Sequence, residues 1–210
     1  MPRPSRFSET GILDATANLV AAGGPRAATI GAIAAALNAP WGSIYHRFAS
    51  RHVLLGRLWL TKAAMFQDRF TAALAQSDPH TAGLEAALSV PRTARADLAG
   101  ARIMLLHRRE DFLSDEWPAD MRTEAARLKA QVDEAMREIT RRLFGRAGGE
   151  ASRLAYFAIL DLPLAATRRH IADNEPPPVN VDALVERAFW ALIVPEGIPC
   201  RSSVQRTSLS

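Results

Sequence analysis

The sequence predicts an all-α chain of about nine helices, with an N-terminal three-helix unit containing a helix-turn-helix and a larger helical body behind it. Three observations predict this. Apolar residues recur at helical spacing almost throughout. No run alternates with period two between turn signals, as a half-buried strand would. Capping residues, glycines and prolines punctuate the periodic stretches at helix-sized intervals.

The first helix is expected from about Ser8 to Ala22, with Ile12, Ala15, Leu19 and Val20 on one face and Gly23-Gly24-Pro25 as its stop. Thr29 suits an N-cap, and Ile30, Ile33, Ala34 and Leu37 then follow at i, i+3, i+4, i+7. Asn38 tolerates the left-handed conformation of a tight turn, so the second helix ends there. Pro40 suits a helix start, where its missing N–H would be unpaired anyway, and opens a short third helix from Trp41 to about Phe48. Ser50 caps a fourth that reaches about Ala75. Further helices are expected at about 80–89, 92–112 and 117–144, with breaks at Pro91 and at Trp117-Pro118. The next, about 150–172, is apolar nearly all round between Leu154 and Ala166, and Pro163 predicts a kink in it. "NEPPPVN" reads as a stiff linker. The last helix, about 181–194, places Val181, Leu184, Val185, Ala188, Leu192 and Ile193 on one face and Trp190 off it. The polar tail from Pro195 is expected to be disordered.

Composition excludes several classes. A single cysteine, Cys200, rules out a disulfide framework and makes a reducing cytoplasm the expected compartment. The five histidines are scattered, so no metal site is expected, and no cofactor motif is visible. Asp14 and Asn18 interrupt the apolar run behind Arg3 and Arg6, which does not read as a signal peptide. "LAYFAILDLPLAA" is too short to span a bilayer and holds Asp161 and Pro163. The net charge of +4 sits entirely in the first 60 residues, where Arg3, Arg6, Arg26, Arg47, Arg51 and Arg57 face only Glu9 and Asp14. A basic module on a neutral body fits a polyanionic partner such as double-stranded DNA, although a solvated arginine-rich surface would have the same composition.

Two short helices joined by a tight turn form a helix-turn-helix, whose second helix enters the major groove by its N-terminal end. Over residues 29–51, Thr29 offers a hydroxyl and free N–H groups to a phosphate. Ile33, Leu37, Ile44 and Phe48 form a small core that sets the interhelical angle. Gly42 allows close approach to the groove wall or to the neighbouring helix, and Ser43 can bond a base edge or a phosphate. Tyr45 and His46 carry polar tips toward backbone oxygens, and Arg51 supplies a charged phosphate contact.

"TIGAIAAALNAPWGSIYHRFASRHVLL" resembles the DNA-binding segment of the TetR family of transcriptional regulators. The resemblance rests on Thr29, Ile33-Ala34, Gly42, Tyr45, Phe48, Ser50 and Leu54, in register and without gaps, and on the first helix. Arg51 stands where lysine is usual, and Asn38 replaces the turn glycine. Pro40 replaces a serine or threonine, so a side-chain cap and a phosphate contact are missing there. Trp41 replaces a basic or polar groove residue; its ring can pack on a thymine methyl but cannot make arginine's bidentate guanine contact. The opposite placement, Trp41 in the core, is open because 41, 44, 45 and 48 share one helical face.

The resemblance implies a DNA-binding domain over residues 6–55, a helical ligand-binding and dimerisation domain over 56–196, and a tail over 197–210. It implies a homodimer through the last two helices, a palindromic operator, repression, and release by a small apolar effector. The apolar faces of those two helices support a second contact surface independently. The pocket it implies would draw on Trp59, Phe66, Met104, His107, Trp117, Met121 and Phe157, each of which could equally be core. An enzyme is not expected: there is no phosphate-cradling glycine loop, no His-Glu-x-x-His, and no acid near Ser43 and His46 in sequence. The alternative is a helical ligand-binding or scaffolding protein of the same fold without specific DNA binding, a reading that Pro40 and Trp41 keep open.

Overall fold

The computed structural model describes residues 8–112 and 117–193; Arg3, Arg6, Cys200 and the expected tail lie outside them. The described residues form nine helices and no strand. They are α1 (Glu9–Gly23), α2 (Ile30–Leu37), α3 (Trp41–Tyr45), α4 (Arg51–Leu74), α5 (Pro79–Ala96), α6 (Leu98–Leu106), α7 (Ala119–Phe144), α8 and α9 (Asn180–Ile193). Helix α8 runs over 149–172 as Gly149–Tyr156, a π-helical turn Phe157–Asp161, and Leu162–Ala172. None of these helices is long and apolar enough to cross a membrane, and no group of described residues could hold a metal ion.

The capping residues act where the sequence places them. Ser8, Thr29 and Ser50 accept from the amides of Gly11, Ala32 and Val53 at 3.0, 3.1 and 3.2 Å. Asn38 closes α2 in the left-handed region at φ 49°. Gly24, at φ 75°, turns the chain after α1, a conformation that costs a side-chain-bearing residue more.

Two expectations require correction. Pro91 does not break the chain; α5 runs through it to Ala96. Ala86, Ala87, Val90, Pro91 and Ala94 are buried there, and that burial offsets the missing hydrogen bond. The break falls at Asp97, whose carboxylate caps α6 through the Gly100 amide at 2.8 Å and receives Lys62 Nζ at 2.7 Å. The face of α9 also differs: Val181, Val185, Phe189 and Ile193 point inward, whereas Leu184 is exposed. Pro163 behaves as expected in kind. The disturbance takes the form of the π turn just before it, where the Leu162 amide reaches back five residues to the Phe157 carbonyl.

Four buried clusters hold the helices. Ile12, Val20, Ile33, Ile44, Phe48 and Leu54 make an N-terminal core that also takes in Leu58, Ile103 of α6 and Phe112. The body core joins α4, α5, α7, α8 and α9 through residues such as Phe70, Ala86, Met136, Ile159 and Phe189. Between them, Leu60 and Ala63 of α4 pack with Trp117, Met121 and Leu128. A smaller group unites Ala94, Ala101 and Ile171.

Helix α4 is the shared member. Its Gly56 is buried, and the Trp117 indole lies directly on it: a Cβ there would sit 2.3–2.5 Å from three ring atoms. Arg57, next in sequence, reaches Glu124 at 2.9 Å and Asp120 at 3.2 Å on α7. The Gly56→Ala chain is therefore expected to be less stable by about 1–3 kcal/mol, because the overpacked ring must move, despite alanine's better helix propensity. Urea unfolding reads this; an unchanged or raised midpoint would show that the ring shifts freely.

Candidate nucleic-acid interface

Helix α3 is only 5 residues long, and it divides sharply into inside and outside. Ile44 is fully buried and Phe48, just past the helix, is 2% exposed; both join Ile33 in the N-terminal core, with Leu37 packed against it. Trp41 is 59% exposed and Tyr45 is 51% exposed. Pro40, Gly42 and His46 are exposed or nearly so, and Ser43 is half-buried. Hence Trp41 is not core, although it shares a nominal helical face with Ile44 and Phe48. Its ring leans back over α2, where a Cβ on Gly31 would lie 3.0 Å from it. With Gly31, Ala34, Ala35, Asn38 and Pro40 it borders a shallow depression beside the turn.

Gly42 is informative because nothing among the described residues requires it: a Cβ there meets no atom within 4 Å. Internal packing and positive φ are both absent as reasons for this glycine. The N-cap Pro40 offers no side-chain hydrogen bond to the start of α3, while its carbonyl accepts from the Ser43 amide at 3.0 Å. Thr29 is also exposed at the start of α2, with its hydroxyl committed to the cap on Ala32.

The arginines are placed differently from one another. Arg51 turns inward: Nε donates to Ala28 O at 2.8 Å and Nη2 donates to Pro25 O. It fastens the start of α4 to the turn between α1 and α2. Arg57 is engaged with Glu124 and Asp120. Arg47, which the motif did not single out, is half-buried next to His46, and its Nη1 donates to Ser43 O at 3.2 Å. Its only sequence signal was a positive charge one residue past the aromatic-histidine pair.

Of the seven residues expected to line a ligand pocket, six are buried or half-buried and one is exposed. Trp59, Met104, Trp117 and Met121 pack in the cluster between the two larger cores. Phe66 belongs to the group around Ile171. His107 meets Phe112 edge-on at 6.3 Å and approaches Gly24, at the joint with α1. Phe157 faces outward, 49% exposed. Near Trp59, the Arg109 guanidinium lies 5.5 Å above the ring. An open groove of about 600 Å³ runs between α4 and α7, lined by Gln67, Thr71, Leu74, Gln131, Glu134 and Arg142.

Residues 12–58 match the family model described as bacterial regulatory proteins, tetR family. No curated protein matches the chain. Solved structures share the whole fold. The fatty acid degradation regulator FadR from Bacillus halodurans is 16% identical with a TM-score of 0.65, covering 90% of this chain and 99% of that one. FadR from Bacillus subtilis, solved in complex with stearoyl-CoA, is 14% identical with a TM-score of 0.67, covering 89% and 98%. PfmR from Thermus thermophilus, a TetR family transcriptional regulator, is 18% identical with a TM-score of 0.65, covering 87% and 96%.

Because Arg51 ties two turns together, Arg51→Met is expected to lower stability by about 1.5–3 kcal/mol, with Arg51→Lys recovering part of it, since lysine cannot span both carbonyls in one plane. Chemical denaturation of the full chain measures this; equal destabilisation in both variants would mean that packing, not the fork, carries the tie.

Proposed function

We propose that this chain, whose N-terminal helix-turn-helix is of the TetR type, is a ligand-responsive transcriptional regulator that binds double-stranded DNA as a homodimer. The reading rests above all on Gly42. It is a glycine that the fold does not need, on a helix anchored by Ile44 and Phe48, with Trp41, Tyr45 and His46 turned outward around it. The division follows: a DNA-binding domain over about 6–55 and a ligand-binding and dimerisation domain over about 56–196. The setting is the cytoplasm, where a bacterial genome is accessible.

In the docked state α3 lies in the major groove by its N-terminal end. The Trp41 ring meets thymine methyls or sugar edges, Ser43 reaches a base edge or phosphate, and Tyr45, His46 and Arg47 meet the backbone. The amides at the starts of α2 and α3 face phosphates. Two copies join through α8 and α9, whose outward side carries Phe157, Leu184 and Trp190 at 49%, 50% and 39% exposure. These large apolar groups, spread over two neighbouring helices, are what a four-helix interface would bury. A two-fold dimer places two recognition helices about 34–36 Å apart, matching a palindromic operator.

Repression released by a small apolar effector is the regulatory mode proposed. FadR of Bacillus subtilis was solved in complex with stearoyl-CoA, and its fold is that of this chain. In this chain α4 joins the N-terminal core to the body core, so an effector that prefers one arrangement of the body also selects one arrangement of the DNA-binding units. A coupling of about 1–3 kcal/mol weakens DNA binding roughly 5- to 150-fold.

Two measurements test the proposal. Duplexes selected from genomic fragments should bind with an affinity that falls linearly on log salt, and Arg47→Ala should reduce the slope by about 0.9 for each phosphate that the arginine neutralises. Flat, salt-independent behaviour favours a scaffolding protein instead. Separately, Gly42→Ala should leave thermal unfolding unchanged or slightly raised, since a Cβ there meets nothing. It should nevertheless weaken DNA binding about tenfold or more, because one added methyl meets the groove wall. Undiminished affinity would remove the principal support.

A further inference from the structure

Arg102 lies on α6, but its guanidinium serves two other helices. Nε donates to Ala21 O at 2.7 Å and Nη1 donates to Ile171 O at 2.6 Å, with Ala172 O at 3.5 Å. Ala21 is in the last turn of α1, and Ile171 and Ala172 end α8. Carbonyls in a helix's last turn lack intrahelical partners and carry the negative end of its dipole. A planar, permanently charged fork bridges both helix ends at once, at Ile171 O beside the Asn174 amide that donates to it at 3.2 Å, which a lysine or a neutral side chain cannot do in one plane.

The position of these two helices makes the link consequential. Helix α1 is part of the DNA-binding unit, whereas α8 is part of the face proposed to join two copies. Other contacts of α6 with the N-terminal unit are apolar or loose: Ile103 is buried in its core, and His107 rests near Gly24. Close-packed apolar contacts resist movement without direction, and two hydrogen bonds from one rigid group add a fixed distance between α1 and α8. Helix α4 runs from the N-terminal unit into the body, and Phe112 and Leu58 add apolar packing in the N-terminal core.

We infer that Arg102 is a positioning residue that sets how far apart a dimer holds its two DNA-binding units, and so which half-site spacing the protein accepts. The inference rests on the dimeric DNA-binding reading above. Arg102 borders an open cleft of about 590 Å³ with Asn18, Ala22, Leu98 and Asn174. Replacing it therefore leaves no sealed void.

The test uses the full chain. Wild-type protein selects its duplex from a random pool, which defines the palindrome and its spacing. Wild type, Arg102→Met and Arg102→Lys are then titrated against that palindrome, against versions with one or two base pairs inserted at the centre, and against a duplex with a single half-site. Arg102→Met should bind the native palindrome about tenfold more weakly, as removing charge-assisted hydrogen bonds that fix the geometry implies. Its single-half-site affinity should stay within about twofold, and its preference among spacings should flatten, with Arg102→Lys intermediate. If the methionine chain does not fold, the lysine chain carries the comparison. An unchanged spacing profile overturns the inference, and so does an equal weakening on the half-site, which would mark a role in folding α1 alone. A wild-type chain that enriches no duplex overturns the DNA-binding reading itself, a result distinct from either.

Discussion

One uninterrupted helix belongs to two hydrophobic cores. The 24 residues of α4 make a rod about 36 Å long. Its first turns bury Leu54, Leu55 and Leu58 with α1, α2 and α3. Its middle buries Leu60 and Ala63 beside Trp117, and its last turns bury Phe70 and Leu74 in the body. No proline or positive-φ residue interrupts it. A rigid element packed on both sides cannot change its contacts at one end without changing them at the other, because interiors are close-packed. The Trp117 ring seated on Gly56 and the Arg57 fork on Asp120 and Glu124 place the tightest contact of the rod at the joint.

The small recognition unit could not hold its shape alone. Helix α3 has 5 residues, far too few to be stable by helix propensity. Tertiary contacts hold it: Ile44 and Phe48 are buried under it, Pro40 fixes its entry, and Asn38 turns the chain just before. That economy leaves nearly every other side chain of the segment outward. Trp41 and Tyr45 are among the side chains left outward, on either side of Gly42 and Ser43.

Arginine is the recurrent fastener of this molecule. Arg51 binds the carbonyls of Pro25 and Ala28, and Arg102 those of Ala21 and Ile171. Arg142 takes Leu74, Gln76 and Ser77 at the end of α4. Arg95 grips Asp182 with both nitrogens, at 2.9 and 2.7 Å, and also reaches Pro177 O, anchoring the proline linker to α5. Most of these bonds satisfy carbonyls that a helix end or turn leaves open. The arginines of the first 60 residues are thus partly structural: Arg57 is paired with Asp120 and Glu124, and Arg51 binds two carbonyls while keeping its charge.

Local chemistry made much of this legible. The caps Ser8, Thr29 and Ser50, the turn at Asn38 and the helical periodicity depend on neighbours in sequence, and so the helix order and the recognition unit could be read from the residues alone. Whether Pro91 ends a helix could not, because the answer lies in the burial of Ala86, Ala87 and Val90 against other elements. The same holds for Trp41, which shares a nominal face with Ile44 yet stays outside because Gly31 leaves it a seat on α2. Large apolar side chains serve equally well as lining or as packing, so the seat of the Trp117 ring on Gly56 was not legible in the sequence. Sequence by itself determined which segments are helical and which short one stands as the second half of a helix-turn-helix, since those follow from spacing and capping within a few residues. Tertiary structure alone decided what each arginine and tryptophan does, because a long side chain takes its role from carbonyls and rings brought near it by residues far away in the chain.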